Sequence, residues 1–221
     1  MMNNLFLIFD PSSSIKLPIN WMISLIMIMM MPLNFWMVPS RMIMISSILI
    51  KFLMNELKMI LKKNNLIIFF ISLFFFLMFN NFMGLFPYIF TSTSHLSTNL
   101  TLSLPLWLAL MMYGWINNYN HMFSHLIPQG TPAALMPFMV LIETTSNIIR
   151  PLTLAVRLTA NMIAGHLLLN LLSSLKNNLN NYSIMLLVLT QIILISLEMA
   201  VAIIQSYVFM ILTSLYSSEI N

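Results

Sequence analysis

Three charged residues recur at a spacing of seven along one apolar stretch: Glu143, Arg150 and Arg157. Seven residues drift only about 20° around a helix, so the three share a face. Asn147 and Asn161, four beyond Glu143 and Arg157, extend that stripe, and His166 follows on the same stretch. A second apolar stretch carries Gln191, Glu198 and Gln205 at the same spacing of seven. An arginine at the centre of a membrane helix costs roughly 2.5–3.5 kcal/mol on insertion scales, and intramembrane ionisable residues usually mark an ion or proton path. A guanidinium keeps its proton and so cannot relay one. It can be a fixed positive charge that attracts a carboxylate and repels cations. Glu198, His166 and Glu143 can relay protons. The plainer alternative is a static Arg157–Glu198 ion pair, although a dry pair is often no more stable than an apolar replacement. Ala160 and Ala164 lie on the Arg157 face, and small residues beside a buried charge let another helix approach closely.

The elements that must position these groups are membrane helices. The chain has 221 residues, of which 60% are hydrophobic and only 6% charged. A soluble domain carries about 25% charged residues, so these side chains cannot cover a water-facing surface. The fold class is an all-α integral membrane protein in one domain, with about five crossings. A first span is expected over 20–38, with Pro32 kinking it. Residues 41–63 hold Arg41, Lys51, Lys58, Lys62 and Lys63, five of the nine basic residues, at helical spacings between Ile, Leu and Met. That is the pattern of an amphipathic helix lying in the interface. By the positive-inside rule it marks the inner side.

Spans are expected over 66–90 and 98–117, joined by a polar turn at 91–99 and followed by a polar loop at 117–132. His95, His121 and His125 fall in or near those loops and read as solvated. The stretches 132–172 and 183–216 are longer than a hydrocarbon core of ~30 Å requires, so as a hairpin they must tilt or bend. Their short connection brings Arg157, His166, Glu198 and Gln205 within a few turns of one another in depth. The absence of cysteine excludes disulfides and thiolate metal sites;. With only four glycines there is no phosphate-cradling loop, and no cofactor, metal or nucleic-acid partner is expected. The 23 methionines point to an AT-rich, organelle-type genome. A stand-alone transporter or channel is the rival reading, but the inverted repeats such proteins often carry are not visible.

The segments "LAVRLTANMIAGHLL" (154–168) and "LEMAVAIIQSYVF" (197–209) resemble the subunit a family of F-type ATP synthases, in its mitochondrial form. So do "NNFMGLFPYIFTSTSHLSTNLTLSLPLW" (80–107), "HLIPQGTPAALMPFMVLIETTSNIIRP" (125–151) and the opening "LFLIFDPSS". The resemblance covers nearly the whole chain and is weakest across 15–63. It implies a multi-pass stator protein of the mitochondrial inner membrane, beside a ring of proteolipid c subunits and with peripheral-stalk and small membrane subunits as further partners. It implies two offset half-channels for protons, with the chemistry of ATP on other chains. Arg157 then matches the arginine that separates the half-channels, and Asn161 and Gln205 match polar residues beside it. His166 and Glu198 match the pair on the outer path, and Glu143 matches the acid on the inner path. The resemblance gives Arg150 no required role.

Overall fold

The computed structural model describes residues 9–12, 18–29, 37–61, 64–126, 132, 135–175 and 180–220. The helices among them are α1 (Met22–Met29), α2 (Arg41–Ile60), α3 (Asn64–Gly84), α4 (Leu96–Asn117), α5 (Tyr119–Leu126), α6 (Met136–Ser174) and α7 (Asn181–Ile220). Short 3-10 turns cover Ile19–Trp21 and Ser92–Ser94. Among the described residues four helices are long and apolar enough to cross a membrane: Leu66–Gly84, Leu96–Asn117, Met136–Ser174 and Tyr182–Ile220. The protein is an all-α membrane protein. The expected first span overlaps α1, and its middle, with Pro32, lies outside the described residues.

α2 is amphipathic in a specific sense. Leu53 and Leu57 are buried against Ile67, Phe70, Ile71 and Phe74 of α3 and Met210 of α7. Its only acid, Glu56, accepts a hydrogen bond of 3.0 Å from the Tyr207 hydroxyl of α7. Met42, Ile45, Ile48 and Phe52 remain exposed, an apolar side that suits a helix immersed in the membrane surface;.

Two loop readings are corrected. The turn after α3 was expected as a polar turn between spans, yet Thr91, Ser92, Thr93 and Ser94 are all buried. Part of their hydrogen bonding is met locally: Thr91 Oγ1 donates to Ser94 Oγ at 2.9 Å, and Asn99 Nδ2 donates to the Thr93 carbonyl at 2.8 Å, while the Thr93 hydroxyl has no partner among the described residues. His95 is likewise half-buried rather than solvated, with Trp21 and Phe90 rings 5.2 and 5.3 Å from its own. The segment expected as a polar loop at 117–132 holds the helix α5. Asn120, His121, Ser124 and His125 are interleaved with Tyr119, Met122, Phe123 and Leu126, and the last four recur at helical intervals, which gives one apolar side;.

α6 and α7 are 39 and 40 residues long, roughly 60 Å each at 1.5 Å per residue, about twice the hydrocarbon thickness;. They form an antiparallel hairpin whose register is set by contacts at both ends. Near its turn, Gly165 of α6 meets Glu198 of α7; at its open end, Arg150 of α6 binds Glu219 of α7. Between them Leu154 and Leu158 share a core with Phe209 and with Leu77 of α3. Lipid gives helices no hydrophobic reason to associate, so close approach through small residues matters more. Ala155, Ala202 and Ser206 supply it, each at most 1% exposed.

Candidate functional site

The buried face of α6 is formed by Leu154, Ala155, Leu158, Thr159 and Met162, at intervals of one to four. Helical geometry therefore puts Arg157, Ala160, Asn161 and Ala164 on the opposite face, where all four are exposed. The alanines keep that face low around the guanidinium. Among the described residues Arg157 has neither a hydrogen-bond nor an ion-pair partner. The shared core of Leu154, Leu158 and Phe209 puts it level with the turn of α7 that carries Gln205.

Glu198 is different. Its side chain is buried at 8% exposure, and no described group hydrogen-bonds either carboxylate oxygen. The carboxylate lies against the backbone of α6 at Gly165, where an added Cβ would stand only 2.8 Å from Oε1. The absence of a side chain at 165 is thus what lets Glu198 reach α6. His166, the next residue, is half-buried, with Nε2 buried and unpartnered and the Phe9 ring edge-on at 6.2 Å. The structure brings Glu198 to the His166 turn without a hydrogen bond between them. It contains no Arg157–Glu198 ion pair, so the static reading of those two charges is not realised. Asn81 of α3 and Asn99 of α4, both 0% exposed, add buried amide atoms with no partner among the described residues, as does the Ser103 hydroxyl of α4.

The remaining acid, Glu143, lies at the other end of α6. Its Oε1 is 3.6 Å from Nη2 of Arg150, whose Nη1 donates to Oε2 of Glu219 at 2.8 Å. The guanidinium also sits 4.8 Å over the Tyr216 ring, within cation–π range;. These residues line a cavity of about 450 Å³ between α4, α5, α6 and α7, with Trp107, Trp115 and Asn147 among its walls. Pro151 has no N–H to donate to the Asn147 carbonyl, so this turn of α6 lacks that i→i−4 backbone hydrogen bond;.

A model of the ATP synthase A chain family matches residues 17–218. The chain is 57% identical to ATP synthase subunit a of Anopheles quadrimaculatus over 226 aligned residues, with all of both chains covered. It is 58% identical to the Drosophila melanogaster protein of that name over 225, again with both chains fully covered. The chain belongs to the ATP synthase A chain family. It is a multi-pass protein of the mitochondrial inner membrane that serves proton transport in ATP synthesis.

The six residues singled out from sequence fall into three places. Arg157 and Asn161 share the open face of α6, with Gln205 level with them on α7. Glu198 meets α6 beside His166. Glu143 stands apart, in the cavity with Arg150. Sequence reasoning missed Glu219, Tyr216 and Gly165. For Glu219 the signal was a lone acid in a chain with five. It was passed over because the helix was expected to end at 216, whereas α7 runs on to Ile220.

Proposed function

We propose that this protein carries protons through two offset half-channels to and from the carboxylates of a neighbouring proteolipid ring. A proton enters from the outer side past His166 and Glu198 and neutralises a ring carboxylate, which can then face lipid as the ring turns. It leaves through the inner path at Glu143. Arg157 attracts the bare carboxylate between the two paths and, being a fixed cation, repels a proton that would cross directly. Asn161 and Gln205 hold the polar surroundings of that encounter. Each elementary charge moved through the membrane potential yields about 2.3 kcal/mol per 100 mV. Rotation of the ring delivers that energy to catalytic sites on other chains, and peripheral-stalk and small membrane subunits hold this protein still.

The observation that carries this reading is the separation of Arg157 from every acid of its own chain. A cation exposed on a low face of a membrane helix has an unmet need for an anion, and a ring carboxylate meets it. The buried carboxylate oxygens of Glu198, which have no partner among the described residues, support a hydrated outer path. The cavity at Glu143 supports an inner one. Sidedness rests on the basic residues of α2, which place the open end of the hairpin inside.

The test is Arg157→Ala in the assembled complex. Proton-driven ATP synthesis should be abolished while the chain still assembles, and passive proton leak should rise. Near-normal synthesis would refute the assignment. Selective proton flux by the purified chain alone in vesicles would instead favour a stand-alone transporter.

A further inference from the structure

Arg150 is shared unequally between two acids. Its bond to Glu219 is 2.8 Å, the length of a charge-assisted hydrogen bond, whereas its 3.6 Å approach to Glu143 is too long for any hydrogen bond;. Glu143 lies two turns before Arg150 on α6, within reach of that long side chain. Something therefore keeps the guanidinium from closing on Glu143. The last turn of α7 does so, and it is itself held. Asn118 Nδ2, at the α4–α5 junction, donates to the Ile220 carbonyl at 3.1 Å, satisfying one of the carbonyls a helix end leaves unpaired;. The Ile220 side chain fills a notch at Gly114, where an added Cβ would lie 2.8 Å from Cγ2. Glu219 is fixed in place by its neighbour, and Tyr216 lies beneath the guanidinium one turn earlier.

We propose that Glu219 is a positioning residue for proton exchange at Glu143. By holding Arg150 to α7 it prevents a full Arg150–Glu143 pair and leaves the Glu143 carboxylate free to exchange protons with the cavity. Without the Glu219 charge, Arg150 has one acid left within reach and swings onto it, and a carboxylate locked in a full pair exchanges protons slowly. The proposal rests on the assignment of Glu143 to the inner path.

The test compares Glu219→Gln, Glu219→Asp and the double variant Arg150→Gln/Glu219→Gln in the assembled complex reconstituted in vesicles. Rates of proton-driven ATP synthesis and of ATP-driven proton pumping are taken per assembled complex. Glu219→Gln should slow both by on the order of tenfold, below the roughly hundredfold that a 1 Å misplacement can cost a reacting group. Glu219→Asp should keep most of the rate. The double variant should recover most of what the single one lost, because the cation that closes on Glu143 is gone. Should the Gln variant fail to assemble, Glu219→Ser removes the same charge. An unchanged rate in the single variant overturns the proposal. So does a double variant as slow as the single one, which would make Glu219 a relay or a structural carboxylate. Glu143→Gln, run alongside, separates the two failures. If it slows synthesis while Glu219→Gln is normal, only the positioning role falls; if it leaves synthesis intact, the assignment of Glu143 to the inner path falls.

Discussion

The contact between Gly165 and Glu198 gives the account a sharp handle. A methyl group at 165 would stand 2.8 Å from Oε1, 2.9 Å from Cδ and 3.2 Å from Cγ of Glu198. Ordinary contacts between non-bonded heavy atoms lie at about 3.5–4.0 Å, so the carboxylate must withdraw by roughly 0.5–1 Å. The obstacle is the far end of a flexible side chain, which can pivot away. The cost to the fold should therefore stay at or below the low end of the about 1–3 kcal/mol typical of overpacking. The cost to function should be larger. Proton transfer needs donor and acceptor within about 2.6–3.2 Å or one intervening water, and a 1 Å misplacement can cost on the order of a hundredfold. Gly165→Ala should therefore assemble, while proton-driven ATP synthesis by inner-membrane vesicles falls roughly ten- to a hundredfold. Adding Glu198→Asp shortens the side chain by one methylene and should restore part of the rate. If Gly165→Ala synthesises ATP at the parental rate, or if the shorter acid brings no recovery, the position of Glu198 against α6 does not matter and the outer path runs elsewhere.

Two further perturbations probe the scaffold. Leu57 is 0% exposed at the centre of the α2–α3–α7 core, so Leu57→Ala should cost about 2–5 kcal/mol and lower the inactivation temperature of the purified complex;. An unshifted temperature would mean that α2 is not docked there. Asn99 is also 0% exposed and donates to the Thr93 carbonyl; Asn99→Leu leaves that carbonyl unpaired at roughly 1–3 kcal/mol;. The amount of assembled complex surviving mild heating should fall, and equal survival would show that the buried turn holds without that bond.

The helices and the charges on them were legible because their signals are local. Apolar length reveals α3, α4, α6 and α7, and charge periodicity reveals α2 and the stripe from Glu143 to Asn161. What escaped was set by tertiary contact. α5 was missed because Asn120, His121, Ser124 and His125 make its eight residues read as a loop, and only docking reveals that Met122 and Phe123 share a side. The turn at Thr91–Ser94 was legible as polar but not as buried, because its burial depends on contacts with other helices and on short-range bonds such as that from Thr91 to Ser94. Glu198 could be paired on paper with Arg157, since both lie near mid-helix. Helix rotation decides otherwise: Ala155 and Leu158 turn into the bundle, which turns Arg157 out of it. Arg150 was discounted and Glu219 overlooked because each is unremarkable on its own helix. They matter through the antiparallel register that brings residue 219 beside residue 150.

The central claim is that the Arg157 face of α6 meets the acid carried by the ring. The chain has no cysteine, so Ala160→Cys introduces a unique thiol on that face. Paired with a single cysteine beside the ring carboxylate, it should form a disulfide under mild oxidation and stop rotation until reduced. If the bond never forms under conditions in which both cysteines react with a soluble thiol reagent, the guanidinium does not face the ring and the account fails.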